Sequence, residues 1–264
     1  MNKIYYNENN VGLVNYTGGG GADIPSAFTS WEYDDYGRLK DFVLKDGVTN
    51  IPSYYQYHNT SLTSCTIPSG VTSIGSNAFA YVGNEDTCFD LSKINLSGVA
   101  ASTDFTRVFT NAYVCGNITI PNSLLSGATS GTSSTCYYMF QGAFVGQGKT
   151  LNVDVYANNA VIPRYIFSFS TSTLSNKGSI RIVVHGVPTF LSQQSFALIS
   201  SSFVGEQSVT FADCINPPDA PSYDTGTSSP FRSFSGTLYV PAEGLTAWKN
   251  KYTGIASKIK AIGT

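Results

Sequence analysis

The feature that most constrains this chain is that it repeats itself. Leu39-x-x-Phe42-x-Leu44 recurs as Leu62-x-x-Cys65-x-Ile67, 23 residues later. Val48-Thr49-Asn50-Ile51 recurs as Val71-Thr72-Ser73-Ile74 at the same offset of 23. Two separate landmarks that share one offset point to a solenoid, one small unit stacked on copies of itself. Such an architecture presents extended surfaces, which favours binding and scaffolding over catalysis.

Within the unit, Leu-x-Leu places both apolar side chains on one face of a short strand, because side chains alternate across a strand. The same signal returns in Leu91-x-x-Ile94-x-Leu96, Ile118-x-Ile120, Leu151-x-Val153-x-Val155, Ile180-x-Ile182-x-Val184, Val209-x-Phe211 and Leu238-x-Val240. That predicts about eight strands, separated by roughly 20–35 residues. Ile67-Pro68, Ile120-Pro121, Ile162-Pro163, Val187-Pro188 and Val240-Pro241 close several of the apolar runs. Proline has no N–H to give a ladder, so it ends a strand. Between the strands, Phe79, Phe109, Phe144, Phe167, Phe196 and Phe231 predict a column of rings, one per unit, filling the space opposite the strands.

Composition narrows the function classes. Charged residues are only 12% of the 264, about half the usual share. The net charge is −2 and the basic residues are scattered, with a modest group at Lys249, Lys251, Lys258 and Lys260, so no nucleic-acid partner is expected. Five cysteines, Cys65, Cys88, Cys115, Cys136 and Cys214, form no Cys-x-x-Cys pair, which speaks against a zinc site. Cys65 takes the strand position of Phe42 one unit earlier and reads as a small buried hydrophobe, while a disulfide between adjacent units stays open at this level. No segment approaches the roughly 18 apolar residues of a membrane span. Met1–Asn10 holds no apolar run of the kind a secretory signal needs.

Motifs that suggest chemistry fail on context. Gly146-Gln147-Gly148-Lys149-Thr150 ends like a phosphate loop, but Ala143 stands where the first glycine belongs and a strand follows instead of a helix. His58 and His185 lie in different units without a ligand-spaced cysteine or carboxylate, and no Gly-x-Ser-x-Gly elbow supports a triad. Glu32, Asp34 and Asp35, interleaved with Trp31, Tyr33 and Tyr36, read as a polar turn leading into the first unit rather than a glycosidase or calcium site. No catalytic residue, metal ligand or cofactor is assigned. The candidate contact residues are Tyr54, Tyr55, Tyr57, Tyr137 and Tyr138, since tyrosine offers large contact area at low entropic cost. The offset of 23 sets Tyr55 and Tyr57 beside the ring column, so at least one of them belongs to the core.

Residues Leu62 to Phe79, Leu-Thr-Ser-Cys-Thr-Ile-Pro-Ser-Gly-Val-Thr-Ser-Ile-Gly-Ser-Asn-Ala-Phe, and the ending from Leu238 to Ile262 resemble the BspA-like leucine-rich-repeat family of mouth and gut bacteria. The likeness spans residues 38–262, with longer insertions such as Ser126–Thr135 in the middle units. It implies adhesion, the binding of host proteins and other cells, and no shared catalytic residues.

The expected fold is a β-rich α/β solenoid: a right-handed leucine-rich-repeat coil of short parallel strands with a C-terminal cap. Residues 1–37 form an N-terminal arm or cap with the joint Gly18–Gly21, residues 38–236 the solenoid, and residues 237–264 the cap. Leu245, Trp248 and Tyr252 lie on one face of a short helix in that last segment. Ile4, Tyr5, Tyr6, Val11, Leu13 and Val14 are the candidate assembly-arm residues, through which residues 1–37 would mediate a homo-oligomer. The expected function is non-enzymatic. It is a virion component of a phage of gut bacteria (fibre, decoration or receptor-binding) or a bacterial surface or secreted adhesin. The partner is a virion or host-surface protein, or a surface glycan.

Overall fold

The alternation of apolar and polar residues sets one strand per repeat, and the computed structural model shows how these strands join. It describes residues 27–101, 105–131, 135–169, 178–197, 205–223 and 226–264. In chain order the strands are β1 (Phe28–Tyr33), β2 (Leu39–Leu44), β3 (Asn50–Ile51), β4 (Ser64–Thr66), β5 (Ser73–Ile74), β6 (Phe89–Asp90), β7 (Tyr113–Ile120) and β8 (Phe144–Val145). They continue as β9 (Thr150–Tyr156), β10 (Val161–Ile162), β11 (Ser179–His185), β12 (Phe190–Leu191), β13 (Gln207–Phe211), β14 (Thr237–Val240) and β15 (Ile259–Ala261).

Among the described residues, an 11-stranded sheet runs in the order β1-β2-β4-β6-β7-β9-β11-β13-β14-β15, with β8 beside β7. From β2 onward the pairs are parallel. A strand that pairs with the next repeat's strand, in chain order, is consistent with a repeat solenoid. The register stacks like on like. Phe42 faces Cys65, and Ile118, Val153, Ile182, Val209, Leu238 and Ile259 form one buried row across six strands. Alternate residues point outward, so Thr119, Asp154, Val183, Thr210, Tyr239 and Lys260 form the neighbouring outer row. The Val-Thr-x-Ile landmark makes a second, two-stranded ladder of β3 on β5, and β10 pairs with β12 in the same manner.

The third expected strand is realised differently. Only Phe89–Asp90 is a strand, and Leu91–Lys93 is a 3-10 turn. The Asp90 carboxylate accepts from the Ser92 N–H at 2.9 Å, which pulls the chain out of the ladder. Leu91, Ile94 and Leu96 remain buried, so the apolar pattern still reports the core although not the strand.

Opposite the sheet, Phe79, Phe109, Phe140, Phe167, Phe196 and Phe231 stack ring on ring, with centroids 5.3–6.0 Å apart and planes within 23° of parallel. The expected column member Phe144 is thus corrected to Phe140. Phe144 belongs to β8, where its ring stacks on Tyr113 at 4.8 Å. In the first repeat the ring comes from Tyr55, which is fully buried and packs edge-on against Phe42 and Phe79.

The two ends differ. At the N-terminal end β1 turns back antiparallel onto β2. Asp34 organises the turn: its carboxylate accepts from the N–H groups of Tyr36 and Arg38, from Arg38 Nε at 2.8 Å and from Ser61 Oγ at 2.6 Å. Burial raises the Asp34 carboxyl, but these hydrogen bonds outweigh it and hold the group below its ordinary value. Glu32 pairs with Lys40 at 2.8 Å. At the other end, the helix Leu245–Lys251 and the 3-10 segment Thr253–Lys258 lead into β15. Trp248 and Tyr252 are fully buried. The Trp248 indole donates to the Cys214 carbonyl at 2.9 Å, and the Tyr252 hydroxyl donates to that of Pro218 at 3.0 Å. Leu245 packs partly buried against the core and Ile262 is exposed.

Cys88 and Cys115 form a disulfide that ties the repeat of β6 to that of β7. Cys65, Cys136 and Cys214 are buried thiols, and burial pushes each one's pKa up, that of Cys214 to about 11. Among the described residues no helix is long and apolar enough to cross a membrane.

Candidate binding surface

The turn side of each repeat is held by a backbone ladder of its own. The N–H groups of Tyr54, Gln56 and His58 donate to the carbonyls of Ser76, Ala78 and Ala80. Those of Asn77, Phe79 and Tyr81 donate to Thr106, Val108 and Thr110, and those of Arg107, Phe109 and Asn111 to Tyr137, Met139 and Gln141. Further on, Phe140 donates to Ile166, Tyr165 and Phe167 to Gln193 and Ser195, and Gln194 and Phe196 to Ser229 and Pro230. This ladder sets side chains in rows. The ring column points inward, and the residue two places before it is exposed or part-exposed at Asn77, Arg107, Tyr138 and Tyr165 and buried at Gln194.

That outer row is Asn77, Arg107, Tyr138, Tyr165 and Gln194, preceded in the first repeat by Tyr54, where Gln56 holds the column's place in the ladder; all six have a positive φ, between 53° and 60°. The left-handed region suits glycine and asparagine, whereas a bulky residue held there is strained. A second row, two places after the column position, starts with His58, Tyr81 and Asn111, again at positive φ. Large side chains therefore stand where the turn alone would be better served by small ones.

Two aromatic clusters result. In the first, the His58 ring stacks on Tyr81 at 4.3 Å and meets Tyr57 at 4.4 Å, while Tyr54 meets Tyr57 at 5.2 Å. Tyr54 is 45% exposed and Tyr81 36%. Loss of hydration lowers the His58 pKa below its ordinary value, and burial raises that of Tyr57. In the second, Tyr138 stacks on Tyr165 at 4.7 Å beside Tyr137. Arg107 lies over Tyr138 at 5.0 Å and Arg164 over Tyr165 at 5.2 Å. The structure therefore puts Tyr54 and Tyr57 in one cluster and Tyr137 and Tyr138 in the other, and takes Tyr55 into the core. The arm residues Ile4, Tyr5, Tyr6, Val11, Leu13 and Val14 lie outside the described residues.

Sequence reasoning passed over Tyr81, Tyr165, Arg107 and Arg164. The available signal was position: from Asn77 onward each outer-row residue stands two places before a column phenylalanine, as in Arg107-x-Phe109, Tyr138-x-Phe140 and Tyr165-x-Phe167. It also missed a pair on the sheet side. His185 Nε2 lies 2.7 Å from Asp154 Oδ1 on the adjacent strand, and its ring stacks on Tyr156 at 4.7 Å. The parallel register of β9 and β11 creates this pair across 31 residues. A groove lined by polar residues such as Ser92, Lys93 and Asn117 and equally by apolar ones such as Ile67, Pro68 and Pro121 lies where the 3-10 turn interrupts the sheet. Among the described residues no group of three or more His, Cys, Asp or Glu side chains is placed to hold a metal ion.

No curated protein matches the chain. Residues 32–174, more than half of it, match six copies of the BspA type leucine rich repeat region, a kind of repeat that is typically non-enzymatic and serves protein binding or structure. The chain belongs to the BspA type leucine-rich-repeat family.

Proposed function

We propose that this chain is a recognition module displayed outside a cytoplasm, and that the outer turn rows are its contact surface. The observation that carries this reading is the set of tyrosine, histidine and arginine side chains held half-exposed at left-handed backbone positions. Strain of about 1–3 kcal/mol per such residue persists where the surroundings enforce it, and it gathers at working surfaces. Tyrosine and arginine are also the side chains that dominate binding hot spots. The partner is a host-surface protein or a surface glycan. In this reading the repeats wind as a right-handed coil, residues 237–264 cap it, and residues 38–236 form its body.

The Cys88–Cys115 disulfide favours a bacterial surface or secreted adhesin, because disulfides persist in oxidising compartments. The second reading is a phage virion component, with residues 1–37 as its assembly segment. It draws on β1, which occupies the edge of the sheet and leaves five of its six residues exposed. An edge strand of this kind is suited to pairing with a neighbour.

Beads coated with the chain, applied to epithelial cells, test the surface reading. Attachment is expected, and it should fall in the variant Tyr54→Ser/Tyr81→Ser/Tyr165→Ser while the melting temperature stays close to that of the parent. Attachment that ignores these substitutions overturns the proposed surface. Recovery of the chain in purified phage particles, and not on intact cells, moves the assignment to the virion.

A further inference from the structure

The chain has five arginines, and they divide by environment. Arg38 and Arg181 are neutralised by Asp34 and Glu206, at 2.8 and 2.9 Å. Arg107, Arg164 and Arg232 belong to the turn side, and among the described residues none of them pairs with a carboxylate. Arg107 and Arg164 bracket the stacked rings of Tyr138 and Tyr165. One Nη of Arg164 donates to Gln193, and its buried Nε finds no hydrogen-bond partner among the described residues. Arg232 donates to Gln194 Oε1 at 3.2 Å. The two glutamines spend their amide N–H groups on the Thr227 carbonyl, at 2.7 and 2.9 Å.

We infer that the strip Arg107, Tyr138, Tyr165 and Arg164 is a subsite for an anionic polysaccharide. This rests on the turn rows being the recognition surface and goes further by naming the ligand class. A guanidinium only donates hydrogen bonds, so the strip calls for a ligand rich in acceptor oxygens and negative charge. The tyrosine faces are taken up by guanidinium and by each other, which leaves ring edges and hydroxyls to face the ligand. Arg107 and Tyr165 belong to repeats two steps apart, a rise of about 10 Å if each step matches the spacing of sheet strands. That is close to the length of one disaccharide, so a linear polymer with an acid on alternate sugars matches the strip.

An acidic peptide fits less well. Peptides that bind by pairing need free backbone groups, and here the N–H groups of Arg107, Phe140 and Tyr165 are already used in the turn ladder. A folded protein would anchor an apolar side chain in a pocket, and the surroundings of the strip are rings, amides and cations instead.

The test titrates the full chain, at low salt, with hyaluronate oligomers, which carry an acid on alternate sugars, and with heparin. Dextran of matched length and poly-glutamate of matched charge are the controls. Binding of at least one anionic polysaccharide is expected, weakening with added salt and falling about tenfold or more in R107Q/R164Q. R181Q, on the sheet side and already paired, should bind like the parent. Failure to bind both polysaccharides, equal binding by the double variant, or equal binding of poly-glutamate each overturns the assignment. Bead attachment that survives R107Q/R164Q and is lost in the Tyr54, Tyr81 and Tyr165 variant sinks this subsite and leaves the recognition surface standing. Polysaccharide binding without attachment does the reverse.

Discussion

The inner and outer rows of the turn side are built on one backbone ladder and obey opposite rules. The inner row is phenylalanine in six successive repeats, with centroids 5.3–6.0 Å apart. The outer row, only two residues away, runs tyrosine, asparagine, arginine, tyrosine, tyrosine, glutamine. A stack of repeats offers the same volume at every level of the core, so one ring size fits throughout and a change of size is felt on both sides. The outer row, exposed or part-exposed at every member but Gln194, meets that constraint less. The difference teaches where stability and specificity reside in a chain of this kind: uniformity marks the core and variation marks the surface that can be adapted.

Removing a ring from the inner row is the strongest way to break that contrast. Phe140 is fully buried and stacks on Phe109, Phe167 and Phe169. Phe140→Ala should cost about 3–5 kcal/mol, the usual price of a phenylalanine-sized cavity. Phe144→Ala should cost less, since Phe144 sits at the margin of the core and has one stacking partner, Tyr113. Urea unfolding of the two variants checks the order. An equal loss would mean that the column is no more important than its flank.

The next effect concerns the link between repeats. Cys88→Ser/Cys115→Ser opens a crosslink spanning 27 residues and should cost about 2–4 kcal/mol. The reductant dependence of the parent's unfolding midpoint gives the same quantity without mutation. A midpoint indifferent to reductant would remove the support that the disulfide lends to the adhesin reading.

How much of this was legible in the sequence follows from the same contrast. Leu-x-Leu runs located the strands because most of the sheet's parallel strands, such as β2, β9, β11 and β14, bury alternate residues. The six-ring column was legible except at Phe140. Phe140 and Phe144 follow the same strand, and the insertion Ser126–Thr135 removes the fixed spacing that would choose between them. Leu91–Leu96 carried the full strand pattern, yet the side chain of Asp90 turned the chain locally, an effect that apolar periodicity cannot report. Arg107 stands at a legible position, two before Phe109, but residue identity in the outer row carries no period, so nothing marked it as a contact residue, and Arg164 lies outside that row. The pair of His185 with Asp154 is diagonal across two strands and emerges only once the register is fixed.

Outer-row substitutions sharpen the comparison from the other side. Tyr138→Asn gives up a stacked ring and a cation–π contact, each worth about 1 kcal/mol. It returns about 1–2 kcal/mol by placing asparagine at φ 60°, a conformation that asparagine adopts readily. Thermal melting should therefore shift little in either direction, whereas binding to the partner should fall. A large destabilisation would place Tyr138 with the core.

The smallest effect is set by pH and arises at His58. Its ring lies against Tyr57 and Tyr81, and loss of hydration lowers its pKa below the ordinary 6.5. The folded state therefore favours the neutral imidazole, and the unfolded chain binds the proton more readily. The contribution to stability is fully present above the unfolded value and is lost as pH falls from there through the folded one. His58→Asn should remove that slope, and asparagine accepts the same φ of 61°. Melting curves of parent and variant between about pH 7.5 and 5.5 should converge at the acid end, above the range in which carboxylates titrate. A slope that survives His58→Asn would not arise at His58. In that case the aromatic cluster around His58 would be a tolerant outer surface at every position, with no member coupled to folding.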